Sequence, residues 1–234
     1  MPGSNDGNQK KPRIVEIIGP AGAGKTTLCN ELSRNGNGIL LSNFPDVRKV
    51  ANAPFFISYG SRLIPIIMDR PHPGDRWLSR REFAWLTILN GWSNILQREL
   101  KKNNDIILLD QGPVYLLTET YEFGPEYLRK KNTAKLFWKD LYSRWADILD
   151  LVVWLDAADA DLIERIRSRD KDHPVKNRSI ETSLEFLGCY RRAYERTISY
   201  LLASQSRLKI LRFDTTETSL QEIESRLLQE FRSV

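Results

Sequence analysis

Short apolar runs recur along the chain at Ile14–Ile18, Ile39–Leu41, Ile106–Leu109, Leu151–Leu155 and Leu208–Phe213. Each is only a few residues long and has the composition of a buried strand. Between them lie longer stretches whose apolar positions return every third or fourth residue. The clearest spans Ser79 to Lys101, with Phe83, Trp85, Leu86, Leu89, Trp92, Ile95, Leu96 and Leu100 on one stripe. Others run over Pro125–Leu149, Ile180–Ala203 and Leu220–Phe231. That spacing predicts amphipathic helices. Strands alternating with helices predict an α/β fold, a parallel sheet with helical layers on both faces. In such sheets ligands gather at the carboxyl ends of the strands.

The first run leads straight into Gly19-Pro20-Ala21-Gly22-Ala23-Gly24-Lys25-Thr26, which fits G-x-x-x-x-G-K-[ST] at every position. A helical pattern begins at Thr26-Thr27-Leu28. Strand, glycine-rich loop and helix in this order form a phosphate-binding loop. The glycines let successive N–H groups turn inward on an anion, and the helix adds its positive end. Gly19, Ala21, Gly22, Ala23, Gly24, Lys25, Thr26 and Thr27 are therefore expected to bind a nucleoside triphosphate. Lys25 would reach the terminal phosphates, and the Thr26 hydroxyl would hold Mg²⁺.

Other candidates stand at strand ends. Asp110 closes the third apolar run ahead of Gln111-Gly112-Pro113, as a strand-tip metal carboxylate would. After Asp156 a helical segment carries Arg165 and Arg169, four apart, followed by a polar stretch to Ser179. Arginines there can neutralise a transferring phosphoryl group, and a charged segment near 165–179 suits a mobile lid. Asp214 and Thr215 follow the fifth run, where they could border a nucleotide base; Thr218 and Gln221 form a capping-box pair. The long connection 43–104 is where a second substrate would sit, with Arg70, Arg76, Arg80 and Arg81 near its turn. The Trp85 and Trp92 stripe reads first as core packing.

The 234 residues suffice for one α/β domain, and 41% hydrophobic with 28% charged residues is a globular composition. A net charge of +5 suits polyphosphate handling, and no Lys/Arg run is long enough to argue for nucleic acid. Cys29 and Cys189 read as reduced thiols, and His72 and His173 as surface residues rather than metal ligands. Residues 1–12 are polar and read as a disordered leader. The apolar stretch Phe55–Met68 is interrupted by Gly60, Arg62 and Pro65, so no membrane span is expected and a cytoplasmic location is.

These pieces in this order resemble the small-molecule kinases of the P-loop NTPase fold, closest to the thymidylate kinase and deoxynucleoside kinase group. The likeness rests on the phosphate loop and on three later segments. These are Leu155-Asp156 with Leu162-Ile163-Glu164-Arg165-Ile166-Arg167-Ser168-Arg169, then Cys189-Tyr190-Arg191-Arg192-Ala193-Tyr194, then Phe213-Asp214-Thr215-Thr216. The resemblance implies a three-layer α/β/α sandwich with a sheet of order 2-3-1-4-5. It implies ATP and Mg²⁺ as cofactors, transfer of the γ-phosphoryl group, and catalytic roles for Lys25, Asp110, Arg165 and Arg169. A nucleotide and a small-molecule acceptor are the partners, and a homodimer is compatible with the group. Two features differ from it. Gln111 follows the strand-tip acid where the group has Arg, and Leu89-Asn90-Gly91 carries no Arg. Both favour an acceptor hydroxyl over a nucleotide phosphate.

Overall fold

The computed structural model describes residues 13–35, 38–68, 76–101, 106–170, 172–204 and 207–232. The expected leader, 1–12, and His72 lie outside them. The chain runs β1 (Ile14–Ile18), α1 (Lys25–Asn35), β2 (Ile39–Ser42), α2 (Ala53–Ser61), α3 (Ile64–Met68), α4 (Arg80–Leu100) and β3 (Ile106–Asp110). It continues with α5 (Pro113–Leu117), a π-helical turn (Thr118–Glu122), α6 (Tyr127–Lys130), α7 (Asn132–Ile148), β4 (Leu151–Asp156) and α8 (Asp159–Arg167). Last come α9 (Ile180–Ala203), β5 (Lys209–Asp214) and α10 (Leu220–Arg232).

The five strands pair in parallel in the order β2-β3-β1-β4-β5, as the resemblance implies. Strand side chains alternate between faces, and both faces are apolar because both are covered. Ile14 and Ile18 of β1 join Leu89 and Trp92 of α4, Leu116 of α5 and Trp145 of α7 in one core. Val15 and Ile17 face the opposite way, against Leu28 of α1, Leu162 of α8 and Leu227 of α10. β1 thus lies at the centre of three layers. The tryptophan stripe of α4 is core, as read: Trp92 meets Trp145 edge-on at 6.1 Å, and the Trp145 indole donates to the Leu89 carbonyl at 3.0 Å.

Helix ends follow local chemistry. Ser79 caps α4, with its hydroxyl accepting from Glu82 N while the Glu82 carboxylate accepts from Ser79 N, a full capping box. The last helix is capped the same way by Ser219 and Glu222, one residue beyond the expected Thr218 and Gln221 pair. The expected single helix over Pro125–Leu149 is two, broken where Lys131 turns extended (φ −86°, ψ 149°). The Trp138 indole fills the gap by donating to the Leu128 carbonyl at 2.7 Å. Among the described residues no helix is long and apolar enough to cross a membrane.

Candidate active site

The loop after β1 has the conformation its glycines permit. Gly19 stands at φ 143°, and a Cβ there would lie 2.0 Å from the Leu155 carbonyl oxygen, so only glycine lets the loop pass β4 this closely. Gly22, at φ 94°, passes the backbone of Leu162 less closely, with 3.0 Å from a Cβ to the Leu162 carbonyl oxygen. Pro20, Ala21 and Ala23 complete the turn, and Gly24 leads into α1, whose first residues are Lys25, Thr26 and Thr27. Lys25 Nζ donates to the carbonyls of Gly19 and Pro20, each at 2.8 Å. Burial pushes its pKa down to about 8; the nearby Arg169 charge adds to this and Asp110 opposes it.

Asp110 stands at the tip of β3, beside Ile17 of β1. Its Oδ2 accepts from the Thr26 hydroxyl at 2.7 Å, so the structure brings the two predicted metal-side residues together. Asp110 Oδ1 is buried and has no hydrogen-bond partner among the described residues. A partnerless buried carboxylate oxygen beside a threonine hydroxyl fits a hard cation that takes oxygen ligands. No group of three or more His, Cys, Asp or Glu that could hold a metal occurs among the described residues. A Mg²⁺ here would rely on Thr26, Asp110 and the phosphates themselves.

A cavity of about 610 Å³ opens from this point. Lys25, Thr26 and Arg169 line its phosphate end, and Arg81, Tyr115, Glu119 and Tyr190 its far end. Tyr115 and Glu119 come from α5 and the π-helical turn, Arg81 from the first turn of α4, and Tyr190 from the middle of α9. The Tyr190 hydroxyl donates to Glu119 Oε1 at 2.7 Å. Desolvation raises the Glu119 pKa against that bond and the pull of Arg81. A larger groove, about 790 Å³, lies between α8 and α9, but Ile163, Ile180 and Leu184 line it with Glu164 and Arg167 at its side, and no phosphate-loop residue reaches it. Size does not select the chemical site here.

The remaining predicted residues divide. Arg169 lines the cavity, whereas Arg165 turns away and donates to Thr215 Oγ1 at 2.9 Å and, at 3.5 Å, to the Gly22 carbonyl. Thr215 in turn donates to the Asp156 carbonyl at 3.0 Å, so Arg165, Thr215 and the phosphate loop form one wall. Asp214 is exposed and accepts from Thr216 N at 2.7 Å, shaping that loop. Of the arginine cluster, Arg81 reaches the cavity, Arg76 is held by Glu82 and the Phe123 carbonyl, and Arg70 lies outside the described residues. His173 is not a plain surface residue. It lines the cavity half-buried, edge-on to Phe186, and burial lowers its pKa.

Sequence reasoning passed over three groups. Tyr115 and Glu119 follow a Pro that reads as a breaker, and only the spacing of four between them was a signal. Arg191 grips Asp156 with two nitrogens, at 2.8 and 2.9 Å, and Asp159 with a third, tying α9 to β4 and α8. Glu16 sits inside an apolar run and is fully buried.

A family model described as an AAA domain matches residues 15–184, well over half of the chain. The chain belongs to that family. No curated protein sequence matches it. Among solved structures it is similar to deoxyadenosine kinase from M. mycoides with bound dATP. That match has 17% identity, covers 92% of this chain and 98% of that one, and has a TM-score of 0.46. It is also similar to thymidylate kinase from Candida albicans, at 15% identity, with coverage of 94% and 90% and a TM-score of 0.48.

Proposed function

We propose that the protein is a Mg-ATP-dependent kinase that moves the γ-phosphoryl group to a hydroxyl of a small molecule. One observation carries the reading: the cavity lined by Lys25 and Thr26 of the phosphate loop is also walled by Arg81, Tyr115, Glu119 and Tyr190. A nucleotide switch has no need of a further polar wall beyond the site that holds its phosphates. A kinase needs one, because transfer requires the acceptor oxygen to be held in line.

In this reading the loop N–H groups and Lys25 hold the phosphates, and Thr26 with Asp110 would hold Mg²⁺, which when bound neutralises phosphate charge. Arg169 supplies positive charge where it develops. The acceptor oxygen bonds to the γ-phosphorus as the bond to the β-phosphate oxygen breaks, and ADP leaves. The hydroxyl proton passes to Glu119, which lines the cavity, or to Asp110 at the β3 tip beside Thr26. Arg165 and Thr215 border the nucleotide rather than the reacting group. The segment near 165–179 would serve as the lid, with Val175 packed into the core beneath it. The far end presents one cation, Arg81, and one anion, Glu119, a balance that suits an uncharged alcohol better than a phosphate monoester.

The test is ADP release from Mg-ATP across nucleosides, nucleoside monophosphates, sugars and aminoglycoside-like alcohols. Acceptor-dependent release that is highest with an alcohol is expected. ATP binding without stimulation by any member of the panel would overturn the kinase reading.

A further inference from the structure

Glu16 is the one acid on a strand otherwise built of Ile and Val, and it is completely buried. Strand alternation puts it between Ile14 and Ile18, on the face that α4 and α5 cover. Its two carboxylate oxygens are both used: Oε2 accepts from Val114 N at 2.8 Å and Oε1 from Tyr115 N at 3.0 Å. These are first-turn N–H groups of α5, which the helix itself cannot satisfy. The residue at the cap position, Gly112, supplies no side chain to do so. Glu16 therefore caps α5 from a different element, nearly a hundred residues away in sequence.

The fit extends to Gly112. A Cβ there would lie 2.8 Å from the Glu16 carboxyl carbon and 2.9 Å from Leu109 Cβ, so the glycine leaves room for the acid. Between Asp110 and Gly112 stands Gln111 at φ 62°, the only described non-glycine residue with positive φ. The turn that leaves the β3 tip is thus tight, and the Glu16 contact fixes its far side. Glu16 lies three residues before the phosphate loop, while α5 carries Tyr115 and leads to Glu119, both cavity walls.

We infer that Glu16 is a positioning residue, which fixes the acceptor wall against the phosphate loop by capping α5 from β1. It touches neither nucleotide phosphate nor acceptor, and it acts through Tyr115 and Glu119. The inference rests on the kinase reading for its catalytic consequence, not for its structural one. Burial raises the Glu16 pKa to about 8, the backbone N–H groups it caps oppose this, and the nearby Asp110 adds to it, so Glu16 acts here through its acceptor oxygens.

The experiment compares full-length wild type with Glu16→Ala, Glu16→Gln and Gly112→Ala. Three measurements are made: amide hydrogen exchange, binding of a non-hydrolysable Mg-ATP analogue, and ADP release with whichever panel acceptor supports wild-type turnover. In Glu16→Ala, exchange at residues 114–117 should be at least about fivefold faster, the worth of a lost helix cap. Protection of β4 and β5 should be unchanged, and analogue affinity should stay within about threefold, since the loop amides that bind phosphate are untouched. Turnover should fall at least about tenfold, because a small misplacement of a positioned acceptor is costly. Glu16→Gln keeps one acceptor oxygen and should restore part of both effects. Gly112→Ala presses on the same contact from the α5 side and should reproduce the pattern, which keeps the test available if Glu16→Ala does not fold. Unchanged exchange at 114–117 would overturn the inference, as would analogue affinity and sheet-wide protection lost together, the mark of a plain core residue. A wild type that no acceptor stimulates would remove the kinase reading, while the exchange result would still judge the cap.

Discussion

Lys25 is the residue whose surroundings make the sharpest quantitative demand. Its amine is partly buried and bonded to two carbonyls, and burial holds its pKa at about 8 rather than 10.5. At pH 7 the free protein then carries a charged Lys25 in about nine molecules of ten, and at pH 9 in about one of ten. A bound triphosphate places several negative charges beside the amine and returns it to the ordinary lysine range. Binding must therefore take up about 0.1 proton at pH 7 and about 0.9 at pH 9. The sign follows directly: above pH 8 the free protein must first be protonated, so affinity falls, by about tenfold between pH 7 and pH 9. Calorimetric titration of a non-hydrolysable Mg-ATP analogue in buffers of different ionisation enthalpy reads the uptake directly. His173 shares the cavity with its pKa lowered, so its proton uptake shows near or below pH 7 and does not mimic that of Lys25. Lys25→Arg stays charged throughout and should show no uptake at pH 9. Equal uptake at pH 7 and pH 9 with a flat affinity would refute the reasoning.

Asp110→Asn keeps the shape of the strand tip and removes its charge; turnover should fall by at least ~10²-fold while analogue affinity changes far less, and near-normal turnover would reduce Asp110 to a turn residue. Arg169→Ala should lower turnover more than affinity, whereas Arg165→Ala, which loses the contacts to Thr215 and the Gly22 carbonyl, should raise the analogue Kd more than it lowers turnover. Limited trypsin digestion at Lys176 should be fast in the free protein and slow with analogue and acceptor bound; equal rates would mean the segment is not a lid. Ser79→Ala removes one half of the α4 capping box and should cost about 1 kcal/mol in urea unfolding.

How far the sequence spoke depended on whether one element or several shape a feature. β1 and α9 have the bounds their patterns predict, because an apolar run and an amphipathic stripe are properties of one segment. The phosphate loop is equally local, and so is Asp110 at its strand tip. The four-residue spacing of Arg165 and Arg169 implied a shared face. Yet α8 ends at Arg167, so Arg169 lies past the helix and the two side chains part. Pro113 read as a strand breaker, and it also serves as the first residue of α5, a place that suits proline. Glu16 had no local signal, since an acid inside an apolar run shows its purpose only when the partner helix is folded over it.

The left-handed turn at Gln111 has a consequence for anyone who engineers this protein. A long side chain at φ 62° costs about 1 kcal/mol that glycine would not, and asparagine little of it. Libraries selected for heat resistance alone should therefore drift to Gly or Asn at this position. Libraries selected for product formation should keep the glutamine, because it lines the cavity next in sequence to Asp110. The residue recovered from each selection would measure how much the catalyst gives up in robustness to keep that glutamine where it is.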